Sequence, residues 1–215
     1  MANPDIGTLR GFDLNHFSLG VVDSSIAGDV VTVHPDGDYA AGIANNTPYN
    51  LAGSGCYFRL NHSPGSAINS NEVFVGLLDV NTIAYGFGSA QNIVGWYLTG
   101  DGAGTGCWLQ PVCLVGGNDH SPDGGPFVSP MPIYLRTRET GGTTYWESSP
   151  DGVAWDPQYS SADLLTGPQM GALYFSLCAG FWNAAGGDTS VTQTFDAFNG
   201  GAPAGSSGDF FGFFE

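Results

Sequence analysis

Short runs of β-branched and aromatic residues recur along the chain, each broken by Gly, Asn, Asp or Pro, while the helical period is almost absent. This punctuation constrains the fold more than any other feature. It predicts strands at 17–22, 29–34, 55–61, 72–78, 82–87 and 92–98. It predicts further strands at 107–115, 132–138, 143–148, 172–180 and 191–198. About a dozen strands at such spacing make a two-sheet sandwich or a barrel. Residues 161–167, SADLLTG, are compatible with one helical turn. The 215 residues fit one all-β domain with a core large enough to need no disulfides.

The stretch YLRTRETGGTTYWESSPDGVAWD, residues 134–156, fixes its own register. Gly141-Gly142 is a two-residue hairpin signal, because both glycines accept the positive φ of a primed turn. Thr140 then pairs with Thr143, Arg138 with Tyr145, and Arg136 with Glu147. Alternation places Tyr134, Arg136, Arg138, Tyr145 and Glu147 on one face, and Leu135, Thr137 and Trp146 on the other. The second set reads as core. The first is a polar and aromatic face for a ligand, a partner or water. Ser149-Pro150-Asp151-Gly152 is a second turn, leading into Trp155.

Charge removes whole classes of function. The chain contains no lysine; its four cations are Arg10, Arg59, Arg136 and Arg138, and the formal charge is −16. Phosphate backbones and anionic membranes need clustered Lys and Arg, so neither nucleic acid nor a membrane surface is an expected partner. No basic n-region precedes an apolar stretch at the N-terminus, and no run approaches the ~20 apolar residues of a membrane span. Cys56, Cys107, Cys113 and Cys178 form no CxxC pair and suit no zinc site. Buried thiols are the simpler expectation; one or two disulfides are the alternative for a protein working outside a cell. His16, His34, His62 and His120 are scattered, and neither a G-x-S-x-G elbow nor an H-E-x-x-H pair occurs.

The ends differ from the middle. Residues 1–10 read as an N-terminal arm. After Phe198, NGGAPAGSSG has a linker composition, and DFFGFFE places Phe210, Phe211, Phe213 and Phe214 in the last six residues. Such a segment either folds back onto the sandwich or serves as a docking arm for assembly.

The order of three segments resembles a known family. FDLNHFSLGVVDSSIAGDVVTVHPDGDYAAG, the hairpin ending in S-x-D-G-x-x-W (Ser149, Asp151, Gly152, Trp155), and MGALYFSLCAGF followed by VTQTFDAF resemble the concanavalin A-like lectin/glucanase superfamily. The likeness is to its laminin-G-like, non-catalytic branch and spans roughly residues 11–200. It implies a two-sheet antiparallel jelly-roll β-sandwich, with Trp155 as a core anchor. Glucanases that resemble this fold carry E-x-D-x-E or E-x-D-x-x-E on one strand, and none of Glu72, Glu139, Glu147 or Glu215 begins such a phrase. Glycosidases also need two carboxyl groups about 5–9.5 Å apart, whereas Glu139 falls at the hairpin shoulder and Glu147 opposite Arg136. The expectation is a non-enzyme.

The resemblance permits a structural Ca²⁺, for which Asp36, Asp38, Asp119 and Asp123 are the candidate ligands, although ordinary acidic turns explain them too. Sugar binding is the expected ligand chemistry, with Tyr134, Arg136, Arg138, Tyr145 and Glu147 as its face. Trp96, Tyr97, Trp108, Trp146, Trp155 and Trp182 are further aromatic candidates. The arms and lysine-free acidity are similar to bacteriophage virion proteins made in the host cytoplasm. They imply a structural or adhesive virion-surface role, with other virion proteins, copies of itself or cell-surface glycans as partners. A free-standing microbial carbohydrate-binding module or lectin is the alternative; an extracellular filament or matrix subunit is a third.

Overall fold

The structure is a computed structural model and describes residues 12–13, 23–27, 30–34, 41–45, 48–61, 73–79, 92–100, 106–122, 127–130, 132–162, 173–179 and 193–196. These residues build strands and turns. The strands are β1 (Phe12–Asp13), β2 (Asp23–Ala27), β3 (Val30–His34), β4 (Ala41–Asn45), β5 (Gly55–Leu60), β6 (Val73–Asp79), β7 (Ile93–Gly100) and β8 (Gly106–Val115). They continue with β9 (Asn118–Asp119), β10 (Phe127–Pro130), β11 (Ile133–Thr140), β12 (Thr143–Ser149), β13 (Asp156–Ala162), β14 (Leu173–Ala179) and β15 (Gln193–Asp196). One sheet has the order β1-β4-β14-β6-β7-β8-β10, with β9 beside β8; the other has the order β13-β12-β11-β5-β15-β3-β2. All pairings between described strands are antiparallel. The expected two-sheet jelly-roll sandwich is therefore the observed fold.

The strands fall where β-branched and aromatic runs predict them at β3, β5 to β8, β11, β12, β14 and β15. Strands β1, β2, β4, β9, β10 and β13 were not expected. β13 carries the sequence DPQYSSA, without a β-branched residue and with a proline. It pairs as an edge strand, where a missing N–H is tolerated. Its register slips between Trp146 and Glu147, so that Gln158 is the extra residue of a bulge. Residues 161–162 finish β13 instead of opening a helical turn. The predicted strands at 17–22 and 82–87 and both terminal arms, with Phe210, Phe211, Phe213 and Phe214, lie outside the described residues.

Alternation along each strand builds the core between the sheets. Val75, Leu77, Val94, Trp96, Phe175 and Leu177 meet Phe58, Leu60, Leu135, Trp146 and Phe195, all at most 2% exposed. Two indoles bridge the layers in opposite directions. Trp146 on β12 donates from Nε1 to the Gly95 carbonyl at 2.7 Å. Trp96 on β7 donates to the Arg136 carbonyl at 3.3 Å. Each buried N–H thereby finds an acceptor in the facing sheet. Trp96 and Trp146 are thus core struts, which removes them as sugar platforms.

Cys56 and Cys113 are free, buried thiols, pushed up to about 12 mainly by desolvation, so they stay protonated at neutral pH. Cys107 and Cys178 lie in β8 and β14.

Gly76 and Gly95 face each other across β6 and β7. A Cβ at Gly95 would lie 2.4 Å from the Val75 carbonyl oxygen and 2.8 Å from Gly76 Cα, and Phe74 Cζ closes the space at 3.0 Å. Backbone cannot yield as a flexible side chain does. Gly95→Ala is expected to lower stability by about 1–3 kcal/mol, read as a lower urea midpoint at unchanged slope.

Candidate functional site

The predicted register of the hairpin is the observed one. Arg136 pairs with Glu147, Arg138 with Tyr145, and Thr140 with Thr143. Gly141 and Gly142 have φ of 61° and 84°, as a primed turn requires. Behind the turn, the Glu139 carboxylate accepts from the amides of Gly142 at 2.6 Å and Gly53 at 2.5 Å. The Glu139 amide also donates to the Ser54 carbonyl at 2.8 Å. One carboxylate therefore ties the 51–54 turn to the hairpin, which occupies it structurally.

All five residues expected on the outer face lie there, on β11 and β12. Glu147 is 2% exposed and sits between two guanidiniums. It accepts from Arg136 Nε at 2.5 Å and from Arg138 Nε and Nη2, both at 3.0 Å. Burial alone would raise its carboxyl, but the hydrogen bonds and charges of Arg138 and Arg136 outweigh burial and hold it below the ordinary carboxylate value. Each guanidinium also faces an aromatic ring. Arg138 Cζ lies 4.1 Å from the Tyr145 ring centre, and Arg136 Cζ lies 4.2 Å from that of Trp155.

Trp155 corrects the sequence expectation. It is half-buried on the outer face, its ring centre 5.5 Å from that of Tyr57, and not a core anchor. The turn explains why. Ser149 Oγ accepts from the amides of Asp151 and Gly152, and Asp151 Oδ1 accepts from those of Val153 and Ala154. These bonds curl the chain back across the sheet. Gly152, at φ 73°, rests on the Tyr134 ring, where a Cβ would lie 2.9 Å from Tyr134 Cε1. Tyr134 is 5% exposed and acts as the pedestal of this turn.

Three contributors were not singled out from sequence: Tyr57 and Arg59 on β5, and Asp196 on β15. Arg59 Nε and Nη2 form a forked pair with Asp196 at 2.6 and 2.5 Å. Alternation in GCYFRL, with burial of Cys56, Phe58 and Leu60, was the signal that put Tyr57 and Arg59 on the outer side. Among the described residues the arginines are Arg59, Arg136 and Arg138, and all three lie on this face.

Over the outer face of the paired strands β5 and β11 lies an open groove of about 530 Å³, lined by Gly53, Ser54, Gly55, Tyr57, Arg136, Arg138 and Thr140. Gly55 pairs with Arg138. A Cβ at Gly55 would lie 2.6 Å from Arg138 Cβ, so glycine keeps this floor open.

Among the proposed cation ligands, Asp36, Asp38 and Asp123 lie outside the described residues, as does Trp182. Asp119 is on β9 and accepts from the Ser121 amide at 2.8 Å. Among the described residues no group of three or more His, Cys, Asp or Glu side chains is placed to hold a metal. Tyr97 and Trp108 stand on the outer side of the other sheet, away from the arginines.

Acid should weaken this site and the fold together. The folded-state carboxyl of Glu147 is lowered, so its contribution is complete above the unfolded value of about 4.3 and is lost as pH falls through the folded value. Asp151 is lowered in the same direction, first by the Val153 and Ala154 amides and then by Ser149. Thermal melts from about pH 6 to pH 2.5 should show a falling midpoint in the acid limb, with a shallower slope in Glu147→Gln. Equal slopes would mean that Glu147 contributes nothing to acid sensitivity.

No protein-family model and no curated protein matches the sequence. Solved structures do. A legume lectin-like domain from Entamoeba histolytica superposes with a TM-score of 0.54 at 12% identity, covering 89% of each chain. A functionally unknown protein from Saccharomyces cerevisiae gives 0.52 at 15% identity, over 82% of this chain and 89% of that one. A glycosyl hydrolase family protein from Mycobacterium fortuitum gives 0.51 at 12% identity, over 79% and 73%. The domain is thus a jelly-roll sandwich of the concanavalin A-like type. It shares its fold with lectin-like and glycoside hydrolase proteins.

Proposed function

We propose that this domain binds carbohydrate without catalysis, on the outer face of the sheet that contains β11 and β12. The supporting observation is the return of Trp155 over Arg136 beside Tyr57, which sets an aromatic plane next to fixed hydrogen-bond donors. Sugars offer C–H faces to such rings and hydroxyls to such donors. The acids of this face are held as structural partners: Glu147 by Arg136 and Arg138, and Asp196 by Arg59. A carboxylate so engaged is a poor general acid or nucleophile. A module of this kind serves free or as an appendage of a larger particle. The virion-surface setting draws on the resemblance, the lysine-free acidity and the terminal arms, not on any motif.

The test is a glycan array probed with multivalent protein. A specific hit, lost on Arg138→Gln with the fold retained, is the expected result. A blank array under multivalent display would overturn the reading.

A further inference from the structure

Resting on that reading, we infer that the groove beside Arg136 and Arg138 takes an acidic sugar, the carboxylate of a uronate-bearing glycan. The chain has 20 acidic residues against four arginines, yet no Asp or Glu lines this groove among the described residues. The nearest acids are turned to other work. Both oxygens of Glu139 take the Gly53 and Gly142 amides, and Glu147 is shared between two guanidiniums. One carboxylate does not satisfy two forks. Arg136 uses only Nε, and Arg138 uses Nε and Nη2, in hydrogen bonds among the described residues. Among the described residues Nη1 and Nη2 of Arg136 and Nη1 of Arg138 meet no acceptor, on side chains 25% and 29% exposed.

Neutral sugar hydroxyls both donate and accept, as do the Ser54, Tyr57 and Thr140 hydroxyls along the groove, but its charged donors, Arg136 and Arg138, favour an acceptor that carries charge. An ionised carboxylate only accepts, and its two oxygens match guanidinium N–H groups in a plane. Here the guanidiniums are already oriented, one against Trp155 and one against Tyr145, so little side-chain freedom is lost on binding. The overall negative charge opposes an anion at long range, but at physiological salt that repulsion fades over about 8 Å. The groove contacts act within that distance.

The experiment titrates the full chain with uronate oligosaccharides (galacturonate, mannuronate and glucuronate-containing), their methyl esters, neutral glucan oligomers of equal length, and sulfated oligomers lacking uronate. Free uronates are expected to bind about tenfold or more tightly than their methyl esters, the loss typical of one charge-assisted contact. Arg138→Gln should erase the difference, and Arg136→Lys, which keeps charge but not the planar fork, should reduce it. The acid-to-ester ratio on unaltered protein is decisive if either variant fails to fold. Neutral or esterified sugars binding as well as uronates would overturn the acidic class and leave sugar binding standing. Tighter binding of sulfated oligomers would overturn the carboxylate assignment. No binding of any sugar would overturn both readings.

Discussion

Replacing Trp146 with alanine is expected to cost about 3–5 kcal/mol of stability, the range for truncating a fully buried large aromatic. Trp146 is 0% exposed and reaches from one sheet to the Gly95 carbonyl of the other. Alanine removes the ring from the packed middle of the sandwich and the donor from a buried acceptor. Trp146→Phe separates the two contributions. It keeps most of the apolar volume and should lose about 1–3 kcal/mol, the cost of an unsatisfied buried polar group plus a small cavity. Urea unfolding measures both. An alanine variant within about 1 kcal/mol of the parent would mean that the sheets are not joined through this indole.

Trp155→Ala should do the reverse. Its ring lies on the outer face over Arg136 and beside Tyr57, so folding loses little, under about 1 kcal/mol. Binding loses much. An aromatic anchor at the centre of a recognition face commonly contributes about 2 kcal/mol or more, roughly thirtyfold in affinity. The ring supplies the stacking plane and also holds the Arg136 guanidinium in place. Calorimetric titration with the best glycan from the array, with circular dichroism as the folding control, tests it. Full affinity in Trp155→Ala would move the ligand elsewhere on the sandwich.

The hairpin was legible to the residue because Gly141-Gly142 fixes the turn, and the turn fixes every pair that follows. The core side of β11 and β12 was legible for the same reason, since a period of two leaves no freedom once one pair is known. Trp155 was not legible. Its side depends on how far the Ser149–Gly152 turn curls, which is settled by Asp151 accepting two amides and by Gly152 lying on Tyr134. β13 was invisible because DPQYSSA has the composition of a loop; it becomes a strand only through the ladder that β12 offers it. Arg59 and Asp196 needed knowledge that β5 and β15 are neighbours, a pairing 137 positions apart that no local pattern encodes.

The same composition that hid β13 has a further effect. This strand closes one edge of its sheet with Pro157, a bulge at Gln158 and side chains that are mostly exposed. An edge with a missing donor and a broken pleat is a poor template for a neighbouring chain. Copies of the domain brought close together, as on a crowded surface, would resist fusing into a continuous sheet along this border.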